Sequence, residues 1–221
     1  MDLDVKPPEG ASSFPRREAR ARQTRRDVLA AASRLFVADG YGSTTLQGVA
    51  DEAGVAVQTI YAVFGNKRAL LEQLLDVAIA GDDEQVAVND REWMEPVFSA
   101  PTAGERLRAY ASVVRRINER AGDLFGVLES AASIDGELVE LAQMTEGRRR
   151  TGAGGVIESV LSVGPIRKGL DVEHAIDLLW LLNGSAVFRH LVRRAGWSPD
   201  EYEQWLATAM VEQLLDPAVN D

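Results

Sequence analysis

The sequence predicts an all-α protein: a small three-helix helix-turn-helix unit followed by a larger helical domain. Three observations carry this. Apolar residues recur at helical spacing almost throughout the 221 residues, and no run alternates with period two for long enough to suggest a sheet. Helix-start signals recur, each a Thr, Ser or Asn cap before an apolar-periodic run. Gly and Pro mark most of the boundaries between these runs, although Gly147 and a glycine-rich patch at 152–155 fall within one.

Residues 1–16 hold Pro7, Pro8, Gly10, Ser12, Ser13 and Pro15 with few large apolar groups, and are expected to be a disordered arm. The first helix runs from about Ala19 to Ala38, with Val28, Leu29, Ala32, Leu35 and Phe36 on one face, and Asp39-Gly40 ends it. Thr44 stands three residues before Gln47 and matches a capping box for a short second helix buried through Leu46, Val49, Ala50 and Ala53. Gly54 ends that helix, and Val55 plugs the turn. A third helix covers Val57 to Phe64, with Ile60 and Phe64 inward. Asn66 caps a fourth from Lys67, packed by Leu70, Leu71, Leu74, Leu75 and Ala78.

The remainder carries fewer local signals. Asp82–Ala100 is acidic, contains Pro96 and is expected to be an irregular connection. A Thr102–Glu105 capping box opens a helix to about Arg120, and Asp123–Ser133 reads as a separate one. Gly136–Val163 reads as a long helix, although glycine costs about 1 kcal/mol relative to alanine at such positions. Asp171–Ala195 reads as one long apolar helix. The last begins with a Ser198 cap, Pro199 and Glu201 and reaches about Leu215. The organisation expected is an arm over 1–16, a helix-turn-helix domain over 17–80, a helical domain over 81–215 and a tail over 216–221.

Composition bounds the chemistry. There is no cysteine, which excludes disulfides, thiolate metal sites and cysteine nucleophiles. No apolar run approaches the roughly 20 residues of a membrane span, and no signal-peptide core is visible, so a cytoplasmic protein with no membrane partner is expected. The net charge of −10 hides an asymmetry. Residues 14–68 hold nine Lys/Arg against five Asp/Glu, whereas 69–221 hold 14 against 26. Six of the nine cations lie in Arg16–Arg26. The stretch GVAVQTIYAVFGNKRALL, residues 54–71, contains no acid at all. Local positive balance in an acidic chain points to an anion-binding surface.

Two short helices joined through Ala53-Gly54-Val55 are a helix-turn-helix, whose second helix presents its outer face to a major groove. Thr44, Thr45, Val57, Gln58, Thr59, Tyr61 and Lys67 are the candidate DNA contacts. Gln58 can pair with adenine, the methyls of Val57 and Thr59 can meet thymine, and the Tyr61 hydroxyl, Lys67 and the helix N-termini near Thr44 and Thr45 can hold phosphate. The residues RDVLAAASRLFVADGYGSTTLQGVADEAGVAVQTIYAVFGNKRALL, 26–71, resemble the DNA-binding domain of TetR-type (TetR/AcrR) transcriptional regulators. The matches include Phe36, Gly40-Tyr41, Thr44, Val49-Ala50, Ala53-Gly54-Val55, Tyr61, Phe64, Lys67 and Leu70-Leu71. Ala56, where that family often has Ser or Thr, and Val63, where it often has a polar residue, depart from the pattern.

The resemblance implies a ligand-responsive DNA-binding regulator: a homodimeric repressor of a pseudo-palindromic operator, released by a small, largely apolar effector. Its partners would be duplex DNA, the effector and a second copy of the chain. The alternative is a protein-interaction module that uses the helix-turn-helix as scaffold. Candidate pocket residues are Trp93, Phe98, Tyr110, Val114, Phe125, Met144 and Trp180. Candidate dimer residues are Ile176, Leu179, Asn183, Ala186, Val187 and His190, with Tyr202, Leu206, Ala209 and Met210. Arg148-Arg149-Arg150 reads as a solvated face. His174 and Asp177 lack a third ligand, so no metal is expected. No nucleophile elbow or phosphate-cradling loop is present, so neither an enzyme nor a cofactor is expected.

Overall fold

The computed structural model describes residues 14–84 and 86–217. Residues 1–13 of the expected arm and the end of the tail, 218–221, lie outside the described residues. Residues 14–16, also expected in the arm, belong instead to the first helix. The described residues are helical with no strand among them, as the periodicity predicts. The chain folds as two units, a head, residues 1–74, and a body, residues 75–221.

The head comprises α1 (Phe14–Ser43), α2 (Leu46–Ala53), α3 (Val57–Phe64) and the first turns of α4 (Lys67–Ala80). Gly40, at φ 81°, ends the regular part of α1 in a conformation that a side chain would strain. The head core is Val28, Leu29, Ala31, Ala32 and Phe36 of α1 with Val49, Ala50, Ile60, Leu70 and Leu71, all buried. Burial of these side chains, at roughly 1.5–3 kcal/mol for each large one, is what holds such short helices, which are marginal alone.

The body departs from expectation in three places. The connection after α4 is ordered in part: two 3-10 turns, Val88–Asp90 and Glu92–Met94, lead into α5 (Glu95–Ser99). Met94 and Val97 anchor it in the core, and the buried Arg91 guanidinium pairs with Asp82. Secondly, the two helices expected at 102–120 and 123–133 are one, α6 (Ala103–Ala132). Gly122 does not break it, because the Phe188 ring packs at the place its side chain would fill, 3.2 Å away. Thirdly, the long helix expected at 171–195 is divided into α8 (Val172–Leu182), α9 (Ser185–Phe188) and a π-helical turn, Arg189–Arg194. Asn183-Gly184 makes the break. Between these elements lies α7 (Gly136–Leu161), which tolerates its glycines, and α10 (Pro199–Leu214) follows with the expected Ser198–Glu201 capping box.

Candidate nucleic-acid interface

The turn between α2 and α3 forms as the sequence predicts. Gly54 adopts the left-handed conformation at φ 66°, and the Val55 amide donates back to the Ala50 carbonyl at 3.0 Å. Ala56 begins α3 without a side-chain cap. Ile60 and Phe64 are buried, which fixes the rotation of α3. Gln58, Tyr61, Ala62 and Val63 are therefore exposed, Tyr61 at 56%, while Val57 and Thr59 are half-buried. Val63 thus joins this outer face, beyond the contacts that the sequence predicts.

The cap of α2 is corrected. Thr45, not Thr44, accepts the Gly48 amide at 3.0 Å, and Gln47 turns away to donate to Asp51 at 2.8 Å. Thr44 is buried and its hydroxyl donates to the Gly40 carbonyl at 2.9 Å. Its side chain closes the end of α1 and cannot reach a phosphate. The one-residue shift follows from Thr44 still belonging to the turn after α1: its amide is already bonded to Gly40.

Lys67 has a structural task that the sequence does not disclose. Its ammonium donates to the Tyr41 carbonyl at 2.9 Å and the Thr44 carbonyl at 3.0 Å, and stands 4.2 Å over the Tyr41 ring. The Tyr41 ring in turn stacks on Phe36. Lys67 thus pins the start of α4 to the chain entering α2, and so sets where the Thr45 hydroxyl stands. Asn66 caps α4 as expected, accepting the Ala69 amide at 2.8 Å.

In the body, Tyr110, Val114, Trp93 and Trp180 meet in one apolar cluster around α6 and α8, and Phe125 and Met144 lie outside it. Phe98 is 36% exposed, so the expectation that it lines an interior pocket is not met. Arg149 is not on a solvated face. It donates to the Trp180 carbonyl at 2.6 Å and to Asn183, pairs with Glu146, and stacks over the Trp180 ring. Asn183 then donates to the Tyr110 hydroxyl at 2.8 Å. This network satisfies the polar groups freed where α8 breaks. Its neighbours differ: Arg150 pairs with Glu173 and Asp177, and Arg148 with Asp76. Burial pushes the Tyr110 phenol above its ordinary 10.0, with Asn183 and Arg149 opposing. Burial likewise raises Tyr202, whose enclosed hydroxyl completes no hydrogen bond, although Asn118 lies close enough to offset part of the shift.

The candidate dimer residues divide in two. Leu179, Asn183, Tyr202, Leu206 and Met210 are buried within a single chain and are corrected to core positions. Ala186 and His190 are exposed, and Ile176, Val187 and Ala209 are half-buried. Leu181, 65% exposed, escapes the sequence reading because it lies opposite the stripe that the periodicity selects. Periodicity identifies an apolar face without saying what covers it. His174 pairs with Asp171 at the cap of α8, and Asp177 with Arg150; among the described residues there is no cluster of three metal-ligating side chains. Among them, too, no helix is long and apolar enough to cross a membrane.

A three-helix head with an exposed helix-turn-helix face, followed along the chain by a larger helical body, defines a DNA-binding transcriptional regulator rather than an enzyme. Residues 28–74 match the family model described as bacterial regulatory proteins, tetR family. Those residues carry the DNA-binding domain typical of that family. It is 26% identical over 219 residues to the helix-turn-helix regulator TtgR of Pseudomonas putida, across 92% of this chain and 98% of the relative. It is 43% identical over 54 residues to YvkB of Bacillus subtilis, across 24% of this chain and 29% of that one. Among solved structures, NalD, the secondary repressor of the MexAB-OprM multidrug efflux pump in Pseudomonas aeruginosa, superposes with a TM-score of 0.67 at 20% identity, covering 90% of this chain and 99% of that one.

Proposed function

We propose that this protein is a homodimeric, cytoplasmic repressor that reads a pseudo-palindromic operator in the major groove and is released by a small, largely apolar effector. The observation that carries the reading is the outer face of α3. Gln58, Tyr61, Ala62 and Val63 stand exposed on a segment without a single acid, while Ile60 and Phe64 lock its rotation. Gln58 and the half-buried methyls of Val57 and Thr59 meet base edges. Tyr61 and Thr45 hold phosphate. Thr44 and Lys67 position the reader, and Lys67, half-exposed, adds positive charge beside Thr45. A single short helix contacts few bases, so two copies about 34–36 Å apart are needed to read a longer site.

The second copy packs on the outer faces of α8 and α10. Leu181 of α8 is exposed and Ala209 of α10 is half-buried, Ala186 of the adjoining α9 is exposed too, and small residues permit close approach. The effector binds in the body near Tyr110, Val114 and Trp180. Solved structures of this fold hold ligands as different as choline and stearoyl-CoA, so the fold leaves the effector's chemistry open. An effector can displace the heads only by its differential affinity for two arrangements.

The reading is tested by selecting duplexes from a random pool with the whole chain. An enriched site with two-fold symmetry is expected, and Gln58→Ala should relax the preference at one position of each half-site. Enrichment of no motif, or an asymmetric one, contradicts the proposal.

A further inference from the structure

From Arg17 onward, Val28 is the first buried residue of α1, yet that helix begins at Phe14. Residues 14–27 add about 20 Å of helix at roughly 1.5 Å per residue. Residues 17–23 are exposed throughout, so this part of the overhang contributes nothing to the core. Its charge is distinctive. Five arginines face two acids between Arg17 and Asp27, and Asp27 is engaged by Gln23 at 2.8 Å.

The overhang starts beside the reading helix. Arg25 donates to Gln73 at 2.6 Å and stands 5.2 Å over the ring of Phe64, the last residue of α3. Arg22, Arg20 and Arg17 lie about one to two turns farther out. Among the described residues these three have no ion pair or hydrogen bond. Several arginines of the body are instead paired: Arg115 with Asp200 and Glu203, Arg189 with Glu129, and Arg193 with Asp123. At 100° per residue, Arg17 and Arg20 share one flank of the rod and Arg22 takes the other. A rod with cations on two flanks suits a groove bordered by two phosphate ribbons.

We infer that the N-terminal overhang of α1 is a second duplex-DNA contact, in which Arg17, Arg20 and Arg22 grip backbone phosphates flanking the bases read by α3. The inference rests on the regulator reading. Phosphate contacts carry no sequence information, so the overhang adds affinity and salt dependence and leaves base preference unchanged.

The test compares the full chain with R17Q/R20Q/R22Q on the selected duplex and on a scrambled one, across roughly 50–200 mM salt. Glutamine keeps the helix propensity. Each lost contact flattens the plot of log affinity against log salt by about 0.9, about 2.7 per chain and about 5.4 for a bound dimer, so the parent should lose on the order of 2,000-fold more affinity than the variant over that range. Both duplexes should show the change, and backbone protection should vanish at the flanks only. A variant with the parent's slope and footprint overturns the inference while the regulator reading stands. Tighter binding by the variant also overturns it, because the arginines would then oppose the duplex rather than hold it. A parent that binds no duplex removes both.

Discussion

Lys67→Met separates the phosphate contact expected from the sequence from the structural task that the fold gives the same side chain. Methionine keeps the length of the stem and a good helix propensity, so the change isolates the ammonium. The parent makes two charge-assisted hydrogen bonds, to the Tyr41 and Thr44 carbonyls at 2.9 and 3.0 Å, and one ring contact at 4.2 Å. Hydrogen bonds to a charged group contribute about 1.5–3 kcal/mol each. The ring contact adds about 0.5–1 kcal/mol. Lys67 is half-exposed, so water replaces part of what is lost, and about half of the sum, roughly 2–3 kcal/mol, is expected. Head and body are separate units, so a single unfolding midpoint would blur the effect. Native-state hydrogen exchange resolves it. Protection of the Val49 and Ala50 amides should fall about 30- to 150-fold, at about 1.36 kcal/mol per tenfold, while amides of α6 and α10 keep theirs. Head protection within about threefold of the parent, together with weakened duplex binding, would refute the reasoning and return Lys67 to a purely phosphate-binding role.

Other perturbations test the remaining assignments. Thr45→Ala should cost the head about 1 kcal/mol by hydrogen exchange and Gln47→Ala almost nothing; equal costs would restore a capping box. Leu181→Arg should leave secondary structure intact and shift sedimentation from dimer to monomer, with operator affinity falling in parallel; an unchanged dimer places the interface elsewhere. Tyr110 and Tyr202 have raised phenol pKa values in the fold, so their contribution is complete below pH 10 and is lost as pH rises beyond it, because the unfolded chain ionises first. The urea midpoint should therefore drop above pH 10, and less steeply in Tyr202→Phe, which at neutral pH costs little because the hydroxyl it removes has no partner.

Local signals are legible where the chain solves its problems locally. Gly54, Val55, Ile60 and Phe64 define the turn and rotation of α3 within a dozen residues, and the structure places each as expected. The Ser198–Glu201 and Thr102–Glu105 boxes likewise involve neighbours only. The departures share one cause. Gly122 looks like a helix break because the Phe188 ring that packs against it is 66 residues away in sequence. Tyr202 and Leu206 look like interface because the stripe they share does not say that α6 lies over it. Arg149 looks solvated because its partners, Trp180 and Asn183, lie outside its own helix.

By itself, then, the sequence determined the helical class, the helix-turn-helix and the outward face of its reader, because capping, turn conformation and 3.6-residue periodicity act over a few residues. Only the tertiary structure decided which apolar stripes are core, that Lys67 grips the carbonyls of Tyr41 and Thr44, and where the long helix after Asp171 breaks. Those outcomes depend on side chains brought together from distant positions, and burial of a given face is decided by whatever element packs on it.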